Sequence, residues 1–420
     1  MKALRIFPSH CRLERAFAQQ ATEIKRLQTE RDSAFASCIR HRGQPPAPLA
    51  PFVLNSNFAQ EPAPYDRLMQ EICGNTGNTY ITYAFLKTLG FAPRLRAAQQ
   101  VSNMWTDPLP DPDQISAEHT HCFITLQDQF QAALPDYIPV GQIPQLTTFI
   151  RALRIPVVAY SVGTNFLPDD TRRLVCPELR PLLHALADKC ASIGVRGDIT
   201  REALATLDIS NTKVIGCPTY FENGPGRILH KRLLTTTSGI LGTGLFSTRA
   251  PNPVHFIAQS ESLAMKLCLG GMPGPEDIAQ FQAATAAYPG YGNAFLTALR
   301  HGRVQAFPDI DAWKRYINQA DIRLAIGTRL HGSILAMSCG VPAICTAGDS
   351  RAAETCAYLG IPLKPGACGH DLDPGEQLAA LDTDAINSRY RITYVEYLAW
   401  PFYEQTVRFG HHPLPSMHLN

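Results

Sequence analysis

The chain has 420 residues, 45% of them apolar, which is more than one hydrophobic core usually organises and sets an expectation of two to three domains. With 38 basic against 36 acidic side chains the formal net charge is +2, so no global field selects nucleic acid or an anionic membrane, and any anion site must be local. The 12 cysteines show no C-x-x-C pair and several sit in apolar runs, a pattern of reduced thiols in a reducing compartment rather than of a disulfide framework.

Met1 to Arg15 carries charges throughout and lacks the apolar stretch of a signal peptide, and no run of ~18 apolar residues follows anywhere, so a soluble, cytoplasmic protein is expected. From Leu13 to Ala34, apolar or small residues at Leu13, Phe17, Ile24, Leu27 and Ala34 recur at helical steps among Arg, Lys and Glu, with Gln20 and Arg31 interrupting the stripe. This helix either lies solvated against the body or self-associates as a short coiled coil. The proline-rich stretch 43–51 reads as a semi-rigid linker, which makes 1–51 a tail and starts the body at Phe52.

Short apolar runs then alternate with helical patterns, which predicts parallel sheets buried on both faces. Strands are expected at Phe52–Asn55, His121–Leu126, Pro156–Ser161, Ser192–Val195 and Lys213–Ile215, giving a Rossmann-like domain over 52–225. The Gly, Pro, Thr and basic text of 226–252 marks an interdomain linker. A second Rossmann-like series over 253–382 has strands at Val254–Ala258, Arg303–Phe307, Ile322–Ile326 and Pro342–Thr346. The segment 383–420 is expected to form a helix, kinked at Pro401, that crosses back to the first domain.

The strongest local signal is the strand from Ile322, which runs through Gly327-Thr-Arg-Leu-His-Gly332 into a small-residue helix. Arg329 and His331 thereby fall at the carboxyl end of a strand and at a helix N-terminus, where open α/β sheets bind ligands and free N–H groups favour an anion. Arg329 adds a planar fork suited to phosphate or carboxylate; the plain alternative is an ion pair, with His331 merely packed. Arg196 holds the corresponding place in the first domain, where pairing with Asp198 is as good a reading as ligand binding. Gly216-Cys217-Pro218 ends the next strand and shapes a turn near the same cleft. Gly74-Asn75-Thr-Gly77-Asn78 opens a helix, offering backbone N–H groups and two amides to a sugar or an anion, or else forming a simple cap. Asp349-Ser-Arg351 with Glu354 puts Arg351 and Glu354 within reach on one helical turn, as ligand contacts or as a solvated salt bridge. His119 and His121 share a strand face without a third ligand, so no metal site is expected.

In order along the chain, the Gly74–Asn78 loop, Val158–Gly163, Gly194–Gly197, Gly216–Pro218, Gly327–Gly332 and Asp349–Glu354 resemble the polysaccharide pyruvyl transferase family over most of Phe52–Pro365. The resemblance implies α/β architecture, with two Rossmann-like domains facing a cleft as in GT-B-like glycosyltransferases. It also implies an enzyme that moves the enolpyruvyl group of phosphoenolpyruvate onto two sugar hydroxyls, with no cofactor beyond that donor. On this reading Arg196 and Arg329 bind phosphoenolpyruvate, Leu330 and Gly332 lie against it and His331 is the acid. Asn75, Gly77, Asn78, Gly163, Cys217, Asp349, Arg351 and Glu354 then line the acceptor side. A lipid-linked acceptor would bring the protein to the inner membrane face. The competing expectations are a nucleotide-sugar-dependent glycosyltransferase, whose donor diphosphate suits the same helix N-termini, and a non-catalytic scaffold of a glycan pathway.

Overall fold

The computed structural model describes residues 50–58, 64–91, 99–166, 174–366 and 372–400. The expected helix at 13–34, most of the linker at 43–51 and the kink at Pro401 lie outside the described residues.

The chain builds two α/β lobes in which every strand pairing is parallel. The first lobe carries β1 (Pro51–Leu54), α1 (Tyr65–Glu71), α2 (Thr76–Thr88), β2 (Gln100–Val101), α3 (Pro112–Glu118) and β3 (His121–Thr125). It continues with α4 (Gln142–Ala152), β4 (Val157–Tyr160), α5 (Arg180–Lys189), β5 (Ile193–Val195), α6 (Asp198–Ala205) and β6 (Thr212–Val214). Strand order is β2-β1-β3-β4, and a bridge from Val162 to Val195 extends the sheet to the β5-β6 pair.

The second lobe carries β7 (Gly239–Gly242), β8 (Val254–Ala258), α7 (Ser262–Leu269), α8 (Pro275–Ala287), α9 (Pro289–Arg300), β9 (Val304–Ala306) and α10 (Ile310–Gln319). After these come β10 (Ile322–Gly327), α11 (Leu330–Ser338), β11 (Ala343–Cys345), α12 (Ser350–Leu359), α13 (Pro374–Ala380) and α14 (Thr383–Leu398). Its order, β11-β10-β7-β8-β9, is the Rossmann arrangement, with a topological switch point between β7 and β10.

β7 corrects the linker expected over 226–252: the central strand of the second sheet lies inside it. Two of its four residues are glycines because the packing leaves no space for more. A β-carbon on Gly242 would stand 2.5 Å from the Phe256 ring, and one on Gly239 2.8 Å from the Ala320 carbonyl. The strand therefore shows little apolar signature.

The two apolar cores are not divided by lobe. One fills the face of the first sheet under α4 and α5. The other runs from the opposite face of that sheet, through Tyr80, Phe85 and Tyr160, into the whole second lobe. α14 and the turn after it seat this second core against the first lobe: Tyr397 Oη lies 3.1 Å from Thr88 Oγ1, and the buried Trp400 packs 6.5 Å from the Phe85 ring. The lobes thus share a continuous interior, and the floor of the cleft is a packed surface rather than a solvent-filled hinge.

Candidate active site

β10 ends at Gly327, whose φ of +154° and approach to β7 admit no side chain: a β-carbon there would lie 2.2 Å from the Thr243 carbonyl. The chain turns through Thr328, is pinned by the Arg329 N–H donating to Thr243 O at 2.8 Å, and enters α11 with Arg329 as N-cap. Leu330, His331 and Gly332 occupy the first turn and are buried at the switch point, where the first N–H groups of a helix have no partner within it.

From the other lobe, Arg196 leaves the end of β5 and is completely buried. Gly163 makes room for it, since a β-carbon there would stand 3.0 Å from Arg196 Cδ. Asp198, the partner that the sequence offered Arg196, pairs instead with Arg201 at 2.9 Å. Arg196 Nε donates to Ser161 Oγ at 3.0 Å, and Ser161 Oγ donates to Cys217 Sγ at 3.6 Å. Cys217 Sγ, which also accepts from Thr219 at 3.0 Å, lies 3.7 Å from His331 Nε2. A short polar chain therefore connects the first lobe's buried arginine to the second lobe's histidine. Ser161 holds its place at φ +54°, a strained conformation of the kind that gathers at functional sites.

The Arg196 Nη1 and Nη2 atoms are buried without a hydrogen-bond partner among the described residues. A guanidinium in that condition is costly unless an anion completes it. Burial depresses its pKa from the usual arginine value, yet arginine stays charged. The His331 imidazole is held well below its ordinary pKa, first by burial and then by the charges of Arg196 and Arg351. At neutral pH the imidazole is therefore uncharged.

The other expected residues divide. Arg351 spans the cleft: Nη1 bonds Asp128 of the first lobe at 3.1 Å, and Nε stands 3.4 Å from Asp349. Glu354 does not pair with Arg351. It crosses to α6, accepting from Thr200 N at 2.8 Å and Thr200 Oγ1 at 2.6 Å, and burial pushes its pKa up to about 7. Asp349 caps α12 through Ala352 N at 2.8 Å. Arg329 meets Glu261 at 2.8 Å, at the N-cap two residues before His331. The Gly74–Asn78 loop has its donors taken: Thr76 N donates to Gln259 O of the second lobe at 3.0 Å, and within the loop Gly77 N donates to Asn75 Oδ1 at 2.8 Å and Asn78 N to Asn75 O at 3.0 Å. It is a contact between lobes, with Gly77 against His331, rather than an open anion cradle.

Sequence reasoning passed over several neighbours of the site. Asp128 and Glu261 are the carboxylates that hold Arg351 and Arg329. Gln259 is buried between Gly77 and Gly332, with its Nε2 unpartnered among the described residues. Asn55 and Asn57, at the end of β1, adopt φ of +65° and +55° with buried, unpartnered Oδ1 atoms. Two asparagines directly after an apolar strand and before a helix were the available signal for the last pair.

Residues 136–350 match the family model of polysaccharide pyruvyl transferase, just over half of the chain, and the match includes Arg196, Cys217, Arg329 and His331. The chain belongs to the polysaccharide pyruvyl transferase family. Comparison with curated proteins returns no match. Among solved structures, the UDP-GlcNAc 2-epimerase of Methanocaldococcus jannaschii in complex with UDP-GlcNAc and UDP is 11% identical, covers 82% of this chain and 98% of its own, and has a TM-score of 0.37. A second structure of that enzyme is 11% identical, covers 81% of this chain and 97% of its own, and has a TM-score of 0.35. Membership of the pyruvyl transferase family makes this chain a transferase whose acceptor is a sugar, and its two lobes are α/β units of parallel strands. No helix among the described residues is long and apolar enough to cross a membrane.

Proposed function

We propose that this pyruvyl transferase moves the enolpyruvyl skeleton of phosphoenolpyruvate onto two hydroxyls of a sugar, forming a cyclic pyruvate ketal and releasing phosphate. The observation that carries the reading is the buried Arg196 fork, unpaired beside a neutral His331 at a helix N-terminus. Phosphoenolpyruvate brings a carboxylate and a phosphate on one small enol. Arg196 Nη1 and Nη2, the first N–H groups of α11 and the Arg351 charge are complementary to it. Arg329, at the rim, joins them by sharing its charge between Glu261 and the donor.

The bound anion offsets the two arginines and lifts the His331 pKa, so the imidazole takes up a proton and can deliver it to the donor's methylene carbon. The neighbouring carbon then gains cationic character, and one sugar hydroxyl adds there and returns its proton to the imidazole. The carbon–oxygen bond to phosphate breaks, and the second hydroxyl closes the ring. Two methylene and two hydroxyl hydrogens become one methyl group and one hydrogenphosphate, and the charge of −3 is conserved. As written, the transfer uses no cofactor beyond its donor. A donor from the cytoplasm sets the reaction there, and a lipid-linked acceptor would hold the protein at the inner membrane face.

The test is phosphate release from phosphoenolpyruvate with galactosides and glucosides as acceptors, by the wild type and by Arg196→Ala, Arg329→Ala and His331→Ala. Full turnover by His331→Ala removes it from the role of acid. Thermal shift with phosphoenolpyruvate against UDP and GDP separates this reading from nucleotide-sugar transfer, because the true donor raises apparent stability with its affinity.

A further inference from the structure

Beside the arginine–histidine site, a cavity of about 410 Å³ opens in the second lobe between the loops after β10 and β11 and the helices α7, α8 and α9. Its size falls in the range of small-molecule sites, about 300–1,000 Å³. Arg329 and Arg351 form the wall towards His331. The opposite wall is aromatic: Phe281, Tyr291 and Phe295 contact one another, with centroids 5.2 Å apart for Phe281–Phe295 and 5.8 Å for Tyr291–Phe295.

The charges facing the cavity are already matched. Arg329 is met by Glu261 at 2.8 Å, Arg351 by Asp128 at 3.1 Å, and Asp277 by Lys266 at 2.8 Å. A trianion entering here finds no cation in the condition of Arg196. The group left wanting is a hydroxyl: Thr346 Oγ1, on a residue 1% exposed and lining the cavity, has no hydrogen-bond partner among the described residues. An aromatic wall for C–H faces, balanced ion pairs that can each accept or donate to hydroxyls, and one waiting hydroxyl are the recognition chemistry of an uncharged sugar ring.

We propose that this cavity is the acceptor subsite, holding a neutral hexopyranoside with its ketal-forming hydroxyls directed past Arg351 towards the donor. The inference rests on the transfer reaction proposed above and adds where its second substrate lies. Donor and acceptor then meet at Arg329 and Arg351: the unpaired buried Arg196 anchors the anion, and the ion-paired wall faces the polyol.

Thr346→Val removes the waiting hydroxyl at constant shape, and Phe281→Ala removes the one half-buried ring of the aromatic wall. The acceptor KM for a methyl galactopyranoside or methyl glucopyranoside that supports phosphate release is expected to rise about tenfold in Thr346→Val, with the KM for phosphoenolpyruvate unchanged. Saturation-transfer NMR of the same glycosides, with and without phosphoenolpyruvate, should show binding to wild type that weakens in both variants. Loss of glycoside binding in the variants without any phosphate release by wild type would retain the subsite and remove the donor chemistry. Unchanged acceptor KM and NMR signal in both variants, no glycoside signal in wild type, or a raised KM for phosphoenolpyruvate alone would overturn the subsite.

Discussion

Gly77 of the first lobe packs directly on His331 of the second: a β-carbon at Gly77 would lie 3.2 Å from His331 Cβ, 2.9 Å from Gln259 Oε1 and 3.0 Å from Asn75 Oδ1. Glycine at this position allows the two lobes to close on the histidine. Gly77→Ala would gain helix propensity, yet its methyl group presses on the Gln259 amide, the Asn75 cap and the His331 β-carbon, and all three must give way. The expected result is a loss of about 1–3 kcal/mol of stability from overpacking and a fall in phosphate release of about 10²-fold from a misplaced His331. Urea unfolding and steady-state assay of the same preparation check both. A variant of wild-type activity would mean that His331 tolerates displacement and is not positioned by this contact.

Arg196 presents the opposite case, a group retained against stability. Its terminal nitrogens are buried and unpartnered among the described residues, so removing the charge removes a desolvation cost. Arg196→Met is expected to raise the urea midpoint, by about 1–3 kcal/mol in unfolding free energy, while phosphate release falls about 10²–10³-fold. Loss of the Ser161 bond offsets part of the gain. Added inorganic phosphate should stabilise wild type and leave the variant unmoved. A destabilised variant would show that Arg196 is satisfied without a ligand.

What the sequence reveals and conceals follows from the range of the interactions. The turn from β10 into α11 was legible because it is local: an apolar strand, a glycine that must adopt φ +154°, and a helix start. β7 was not, because its glycines answer to Phe256 and Ala320, whose proximity no local pattern encodes. Arg351 and Glu354 lie one helical turn apart and suggest a pair, but each finds a stronger partner across the cleft in Asp128 or Thr200. Arg329 was placed by its strand end, whereas its Glu261 partner comes from the turn after a different strand. The glycine-rich turn before α2 reads as a ligand loop until Gln259, from the other lobe, is seen to occupy one of its donors.

His331 gives a pH dependence of definite sign. In the free protein its pKa lies well below the usual 6.5, chiefly through burial, with Arg196 and Arg351 adding to it. The unfolded chain therefore binds a proton near pH 6.5 that the folded chain does not, and His331 lowers stability as the pH falls below that point. An anion between the arginines reverses their effect, so donor binding should take up as much as one proton per site and tighten as the pH falls. Calorimetric titration with phosphoenolpyruvate in buffers of different ionisation heat measures the uptake. It should vanish in His331→Gln; persistence there would assign the proton to another group.

Glu354 supplies a second titration with the contrary slope. Two hydrogen bonds from Thr200 at the α6 N-terminus, and Arg196 nearby, all favour its anion, yet burial outweighs them and brings the pKa from 4.5 up to about 7. Between those values the folded state keeps a proton that the unfolded state has released. Stability attributable to Glu354 is therefore full below about pH 4.5 and lost as the pH rises to about 7, by about 3 kcal/mol for a shift of this order. Glu354→Gln retains a neutral acceptor for Thr200 and cannot ionise. Its urea midpoint should match wild type near pH 5 and exceed it at pH 8. If the variant is instead the weaker protein at pH 8, the helix terminus and Arg196 dominate burial, and Glu354 holds the lobes together as a permanent carboxylate.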